Sequence, residues 1–293
     1  MTLLVSALIV GVFLGTVYGL MAFGMVASYR ISRVVNLGQA GVAAFGATVY
    51  WWMTAQWGAP VVVSIVGAIA VGAVLGSLMG WVSLLMSRFP TSYMMIFSLC
   101  VTLLLFALVD KMLPPEQVAP TSPFGDGGFN FAETYVANHQ LGTFGVCIGT
   151  VLLFTLLLRR TRFGLFVRAI YDDPAGAATV GVPLTVYVIG VWAISGGLAG
   201  LAGILITNRT LLDTLVLLFV AVWGLAGAIL GGLESFALAF AGGILLGVSE
   251  GVLGGMYGGV LPPGTENLGV VVIMAAAVLY AGTRRRHLAH LQT

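Results

Sequence analysis

The stretch Leu3–Tyr29, LLVSALIVGVFLGTVYGLMAFGMVASY, decides the fold class of this chain. It contains no charged residue and is longer than the about 20 apolar residues that a helix needs to cross a bilayer. No basic segment precedes it, and its apolar core is too long for a cleavable signal peptide. We therefore expect a first membrane helix that is retained.

The rest of the chain has the same character, with 59% hydrophobic and only 8% charged residues among 293. A composition this apolar is typical of a polytopic membrane protein. Eight further runs are apolar over about the length of a membrane span, near 34–55, 60–86, 92–109, 141–158, 184–206, 214–232, 235–256 and 267–282. We predict an all-α transmembrane helix bundle with nine crossings (range 8–10), forming a single transmembrane domain over residues 1–293.

The basic residues predict how the bundle is oriented. If the nine crossings alternate, ten of the twelve lysine and arginine residues fall on one side, and only Lys111 and Arg209 fall on the other. Cytoplasmic loops carry such an excess of positive charge. We therefore predict an N-terminus outside the cell and a cytoplasmic C-terminus. The ten residues are Arg30, Arg33, Arg88, Arg159, Arg160, Arg162, Arg168, Arg284, Arg285 and Arg286.

The longest segment predicted on the outer side spans residues 110–140 and is rich in proline and glycine. It is too short to form a domain of its own. One interpretation is a solvated connector. The other is a functional element, either a docking surface for an external protein or part of a gate.

The sequence lacks the patterns that catalysis requires. It has no nucleotide-binding P-loop, and no spacing of His, Cys or Asp resembles a metal site or a nucleophile–base pair. Cys100 and Cys147 fall inside apolar runs and are expected to be buried small hydrophobic residues. We predict that the chain is not an enzyme and binds no cofactor or metal itself. Any transport must then draw on an ion gradient or on a separate energy-supplying subunit.

Glycines recur every four residues in three of the apolar runs. Such stripes let helix backbones approach closely in a membrane. They indicate tight packing within the chain, or else a subunit interface or a moving contact. The stripes are Gly11, Gly15 and Gly19; Gly72, Gly76 and Gly80; and Gly243, Gly247, Gly251, Gly255 and Gly259.

Two polar features lie inside apolar runs. Asn36 and Gln39 stand beside glycines at the start of the second run, and this composition predicts an unwound segment. Such a segment serves either the translocation path or hydrogen bonding between helices. Glu250 is the deepest carboxylate, and because an intramembrane charge is costly it should face the bundle interior. Its role is structural or gating, or alternatively proton coupling.

The segment Arg159–Pro183, predicted on the cytoplasmic side, is the one long amphipathic stretch of the chain. Apolar residues at helical spacing predict a first short helix, namely Phe163, Phe166, Val167 and Ile170. Asp173–Pro174 predicts the start of a second helix, and Gly181 predicts its end. The result is a helical elbow whose small-residue surface would fit a groove on a partner.

Four motifs follow one another along the chain. They are Val35–Gly41 (VNLGQAG), the spacing Arg168-Ala-x3-Asp172-x4-Ala177-x3-Gly181, Ile194–Gly203 (ISGGLAGLAG), and the stretch Ile229–Glu250, which contains ILGGLES and AGGILLGVSE. Together and in this order they resemble the branched-chain amino-acid class of ATP-binding-cassette importer permeases. The resemblance covers most of the chain.

This resemblance implies a permease subunit in the cell (inner) membrane of a bacterium or archaeon, forming the path for branched-chain amino acids or a related small solute. It implies a second homologous permease or a second copy of this chain, two ATPases that bind ATP and magnesium, an extracytoplasmic solute-binding protein, and no nucleic acid. The expected coupling residues are Arg168, Asp172, Asp173, Ala177 and Gly181. The expected path residues are Asn36, Gln39 and Glu250.

The sequence departs from the family pattern in two places. Glu234 stands where the family usually has glycine, and Asn208–Phe219 lacks the usual proline- and glycine-rich re-entrant pattern. Both departures concern the solute and the local path. The alternative from a different class is an ion-coupled secondary transporter with Glu250 as its proton site.

Overall fold

The computed structural model describes residues 2–114, 116, 118–125, 127–131, 134–257, 269, 271–273 and 275–276. These residues form ten α-helices and one antiparallel β-hairpin. The helices are α1 (Thr2–Ser32), α2 (Gln39–Trp51), α3 (Val61–Leu85), α4 (Thr91–Met112), α5 (Asn138–Arg160), α6 (Arg162–Asp172), α7 (Pro174–Thr179), α8 (Leu184–Thr210), α9 (Thr214–Leu230) and α10 (Phe236–Tyr257). The strands are β1 (Gly128–Phe131) and β2 (Thr134–Ala137).

Six helices of the described chain are long and apolar enough to cross a membrane, namely α1, α3, α4, α5, α8 and α10. The predicted all-α membrane bundle is confirmed, whereas its nine crossings are not. The runs near 34–55 and 214–232 contain the shorter helices α2 and α9. The run near 267–282 lies mostly outside the described residues. The second run yields a short α-helix for two reasons. Residues 34–38 at its start are not helical, and Trp52–Gln56 at its end form a π-helix.

Helices α1 and α10 pack with their backbones in direct contact. A Cβ atom added to Gly15 would lie 2.6 Å from Ile244 Cα, and one added to Gly251 would lie 2.5 Å from Gly11 Cα. No side chain fits at these positions. The glycine stripes of these two helices therefore serve packing within the chain. Gly259, the last member of the third stripe, lies outside the described residues.

Helices α3 and α8 form a second closely packed pair. A Cβ atom on Gly72 would lie 2.5 Å from the carbonyl oxygen of Gly196, and one on Gly80 would lie 2.7 Å from Trp192 Cβ. Because a helix pair in such contact cannot slide without clashes, each pair is expected to behave as one rigid unit.

The core and the lipid-facing surface are divided between helices. Nearly every residue of α2 is buried, while α3, α4 and α5 expose large apolar side chains such as Val62, Leu103 and Leu153. In a bilayer these side chains face acyl chains. Cys147 is buried as predicted, whereas Cys100 is exposed on α4 and the prediction of its burial is wrong.

Seven arginines lie at one end of the bundle, which we call the basic end. Helices α1, α3 and α5 end there, α6 and α7 lie there, and α8 and α10 begin there. The residues are Arg30, Arg33, Arg88, Arg159, Arg160, Arg162 and Arg168. The structure thus groups seven of the ten basic residues that the alternating topology grouped, while Arg284, Arg285 and Arg286 lie outside the described residues. That the basic end is cytoplasmic stays a prediction from the charge rule.

Candidate coupling segment and translocation path

The segment between α5 and α8 folds into two short helices, as its sequence indicates. The Thr161 hydroxyl accepts the Gly164 N–H at 3.3 Å and caps α6. Asp173 occupies the N-cap position of α7, but its side chain makes no capping hydrogen bond. Pro174, whose missing N–H costs nothing in the first turn, is the first residue of α7.

Gly181 ends α7 in a left-handed conformation, with φ of 83°. Its N–H donates to Ala178 O at 3.0 Å, and the Val182 N–H donates to Ala177 O at 3.1 Å. This pair of bonds is the Schellman motif, which satisfies the last carbonyl groups of a helix. A residue with a Cβ atom is strained there, although nothing lies within 4 Å of that atom's position.

The five predicted coupling residues are not equivalent in the structure. Arg168, Asp172, Asp173 and Gly181 are exposed, whereas Ala177 is 5% exposed. The Ala177 side chain is therefore buried beneath the elbow, where its small size lets α7 pack against the bundle.

The same segment exposes apolar side chains that the sequence reasoning missed. Val180 is 79% exposed and Leu165 is 55% exposed. Their position beside the exposed charges makes them candidate anchors for a partner. The sequence carried a signal for Leu165, because it lies off the apolar face of α6.

A cavity of about 330 Å³ lies beneath α6 at the basic end. Residues of α1, α5, α6, α8 and the start of α10 line it, among them Phe23, Arg30, Phe154, Arg168, Ile194 and Glu234. Most of its lining is apolar. Its charged lining residues are three arginines and Glu234, the residue that departs from the family pattern.

The chain between α1 and α2 is unwound, as predicted, and it is held inside the bundle. The Asn36 side chain is 2% exposed and accepts the Gly38 N–H at 2.9 Å. Helix α4 supplies the other partners, because Ser98 Oγ accepts the Leu37 N–H at 3.2 Å and the Thr102 hydroxyl donates to Leu37 O at 2.9 Å. Irregular backbone at this depth is tolerated because its polar groups are satisfied.

Gln39 joins three helices through one fully buried amide. Its amide is oriented with the nitrogen toward Met21 O (3.2 Å) and the oxygen toward the Met25 N–H (3.2 Å) and the Ser195 hydroxyl (2.6 Å), which satisfies both atoms. The Ser195 hydroxyl also lies 2.8 Å from Gly24 O. The side chain of α2 thus bonds to α1 and α8 at one point, which we call the Gln39 junction.

Glu250 reaches from α10 to α1. The Tyr18 hydroxyl, on a side chain 3% exposed, donates to Glu250 Oε2 at 2.8 Å. Asn36 lies in the unwound segment that α4 holds at Leu37, Gln39 bonds to α1 and α8, and Glu250 reaches α1 from α10. The three predicted path residues therefore take part in different helix contacts.

Described residues of the segment predicted as an outer loop, 110–140, are hydrogen-bonded to the bundle beneath them. The Tyr50 hydroxyl donates to Thr121 O at 2.8 Å, and the Leu212 N–H donates to Val118 O at 2.9 Å. His139 lies in the first turn of α5 and is 5% exposed. Its ring nitrogens lie 3.1 Å from Ser122 Oγ and 2.8 Å from Leu205 O. The segment consequently covers the end of the bundle opposite the basic end.

Within the described residues, no group of three His, Cys, Asp or Glu side chains is placed to hold a metal ion. The features that do occur are a bundle of membrane helices, an amphipathic elbow at one end, and buried polar junctions between helices. Together they are the features of a multi-pass membrane permease.

The chain belongs to the family described as branched-chain amino acid transport system / permease component, which it matches over residues 7–281. It is a multi-pass protein of the cell (inner) membrane. Among its relatives is the probable branched-chain amino acid transport permease protein LivH of Methanocaldococcus jannaschii, 26% identical over 80% of this chain and 76% of the relative.

Two relatives carry names of sugar transporters. The fructose import permease protein FrcC of Rhizobium meliloti is 30% identical over 48% of this chain and 37% of its own length. The galactofuranose transporter permease protein YtfT of Escherichia coli is 26% identical over 53% of this chain and 45% of its own length. The family thus includes permeases named for different solutes.

A solved structure, PsaBC from Streptococcus pneumoniae in complex with Fab, shares the fold. Its TM-score is 0.50 at 16% sequence identity, over 96% of this chain and 91% of that chain. At this identity the likeness concerns the helix arrangement alone.

Proposed function

We propose that this chain is a permease subunit of an ATP-driven importer and forms part of the path for branched-chain amino acids or a related small solute. The observation that carries the proposal is the elbow of α6 and α7. It stands at the basic end with Arg168, Asp172, Asp173, Leu165 and Val180 exposed. A surface that combines charges with exposed apolar side chains outside the membrane suits a protein partner.

The partners follow from family membership and from the chemistry of the chain. Two ATPase subunits would bind ATP and magnesium and dock on the elbow, and the described residues include no phosphate-binding P-loop of their own. A second homologous permease, or a second copy of this chain, would complete the membrane unit. A solute-binding protein would deliver the solute at the opposite end, where the segment 110–140 covers the helices.

The proposed path runs along α2, between the covered outer end and the cavity at the basic end. Asn36 and Gln39 lie at the inner end of α2, where the chain is unwound and the bonding between α1, α2 and α8 passes through side chains. Side-chain junctions can rearrange at lower cost than a continuous helix backbone. Glu250 contributes by fixing α10 to α1, because its partner is a tyrosine hydroxyl.

The mainly apolar lining of the cavity supports a solute with an apolar side chain, and its charged lining supports a zwitterion. A sugar would use a series of neutral hydrogen-bonding groups instead. The experiment is uptake of labelled leucine by vesicles that contain the full importer, with excess valine, fructose or galactose as competitors. Competition by valine alone supports the proposal, and competition by a sugar alone contradicts the amino-acid assignment.

The same vesicles separate the importer from an ion-coupled secondary transporter. Uptake should require ATP and the ATPase subunits and should persist when a protonophore collapses the ion gradient. Uptake that needs no ATPase but stops with the protonophore would support the secondary transporter with Glu250 as its proton site.

A further inference from the structure

Helix α6 is fastened to the end of α1 by an aromatic ring that lies between two arginines. The guanidinium carbon of Arg30 lies 4.5 Å from the ring centroid of Tyr171, and that of Arg33 lies 4.2 Å from it. Arg33 Nη2 also donates to the carbonyl oxygen of Tyr171 at 3.4 Å. Both guanidinium groups lie within the range of a cation–π interaction.

Arg30 extends this stack from α6 to α10. Its guanidinium carbon lies 5.2 Å from the ring centroid of Phe236, the first residue of α10. The Phe236 ring in turn packs on Phe23 of α1, with 4.6 Å between centroids. An arginine at a membrane surface ordinarily extends into water or lipid headgroups. Here Arg30 lies between two rings, so three helices meet at one side chain.

The helix pair reached by this stack is the one with backbone-to-backbone packing. Because no side chain separates Gly11 and Gly15 from α10, a displacement of the end of α1 must carry α10 with it. The stack is therefore placed to pass motion of α6 to the α1–α10 pair as a unit.

The other side of α6 holds the second helix pair. The rings of Phe163 and Phe166 lie 5.4 Å and 5.3 Å from that of Tyr187 on α8. Helix α6 thus bridges the α1–α10 pair and the α3–α8 pair at the basic end. The cavity lies directly beneath this bridge, and Val167 and Arg168 of α6 form part of its lining.

We propose that the stack of Arg33, Tyr171, Arg30 and Phe236 is the link through which the coupling segment moves the α1–α10 pair, and that this motion opens and closes the cavity beneath α6. The proposal rests on the proposed function, since it requires an ATPase at the elbow. Tyr171 and Arg33 are positioning residues in it, and Arg30, which also lines the cavity, joins the stack to the cavity wall.

The test uses the complete importer with its ATPases in nanodiscs and a probe for the cavity alone. Nitroxide labels at Phe154→Cys on α5 and Ala237→Cys on α10, two residues that line the cavity, are placed in a Cys100→Ser background. We expect the label-to-label distance to differ between the nucleotide-free state and the state trapped with ADP and vanadate. Tyr171→Leu should abolish this difference, and Tyr171→Phe should restore it, because phenylalanine keeps the ring face.

A second readout is the amount of labelled leucine transported per ATP hydrolysed. Tyr171→Leu removes two cation–π contacts, and the double change Arg30→Met with Arg33→Met removes three. Each should lower this ratio about tenfold while the ATPases remain bound. The arginine variants leave the sequence of α6 unchanged. Arg88→Met is the matched control, because it removes an exposed arginine at the same end but outside the stack.

Three results would overturn the proposal. The first is a normal distance change and transport ratio in Tyr171→Leu. The second is the same loss in Tyr171→Phe as in Tyr171→Leu. The third is dissociation of the ATPases from the arginine variants, which would mean that the stack only holds the elbow folded. If instead the unmodified chain binds no ATPase, it is the proposed function that fails.

Discussion

The Tyr18 hydroxyl on α1 donates a hydrogen bond of 2.8 Å to Glu250 Oε2 on α10. The two residues face each other across the helix interface at which glycines bring the backbones into contact. A carboxylate inside an apolar bundle needs a polar partner to offset the loss of water. Tyr18 supplies such a partner from a buried position, so the bond stabilises the α1–α10 pair.

We predict that Tyr18→Phe destabilises the protein and that Glu250→Gln is tolerated. Loss of a buried hydrogen bond to a charged group costs about 1.5–3 kcal/mol, whereas a glutamine oxygen can still accept from Tyr18. Unfolding of the purified protein in detergent measures the first effect, and vesicle uptake measures the second. Loss of uptake in a well-folded Glu250→Gln variant would favour proton coupling instead.

A second prediction concerns the glycine contact of α1 with α10. Gly15→Val should prevent these helices from closing, because the new Cβ would lie 2.6 Å from Ile244 Cα. Forced overpacking of this kind costs about 3 kcal/mol or more. Gly149→Val is the matched control, since nothing lies within 4 Å of a Cβ atom there. Fluorescence-detected size-exclusion chromatography should show aggregated Gly15→Val and monodisperse Gly149→Val. Equal behaviour of the two would contradict the packing argument.

The local features of the fold could be predicted from sequence because they depend on neighbouring residues. Apolar length marks the six long helices, and the start of α7 at Asp173–Pro174 and its end at Gly181 follow from backbone preferences. The unwound segment that contains Asn36, just before α2, is predictable from local composition as well, because glycines and amides are poor helix formers. Charge placement likewise grouped the arginines of the basic end.

The partners of the site residues could not be predicted, because they lie far apart in the sequence. Gln39 meets Ser195, and Tyr18 meets Glu250, only after the helices have packed. Exposure also depends on that packing, since Ala177 belongs to a small-residue stretch but faces the bundle. Tyr171 gave no signal at all, because a tyrosine near arginines is ordinary at a membrane surface.

A third prediction separates backbone strain from steric obstruction at the end of α7. Gly181→Val should disturb the elbow, because the left-handed conformation costs an L-residue about 1–2 kcal/mol. Gly181→Asn should be milder, because asparagine tolerates that region better. Retention of the ATPases after affinity purification of the importer is the measurement. If valine and asparagine weakened retention equally, contact with the Gly181 surface, and not its conformation, would be the cause.

A fourth prediction tests the Gln39 junction as one cooperative unit. Gln39→Met and Ser195→Ala each leave a buried polar group without its partner, at a cost of about 1–3 kcal/mol in unfolding free energy. Because both changes break the same contact, the double variant should be less destabilised than the sum of the two, with a coupling energy of about 0.5–3 kcal/mol. Ser77→Ala is the matched control for Ser195→Ala, since the Ser77 hydroxyl bonds only to Ala73 O within its own helix.

Measurement of uptake tests whether the Gln39 junction has a role beyond stability. If the α1, α2 and α8 contact rearranges during transport, Gln39→Glu should keep the fold under mildly acidic conditions, because a protonated carboxyl retains one donor and one acceptor. It should still slow ATP-driven uptake, since the group then carries a charge whenever the path admits water. Uptake at the unmodified rate, together with additive stability changes, would show that the amide neither joins the helices as one unit nor lies on the path.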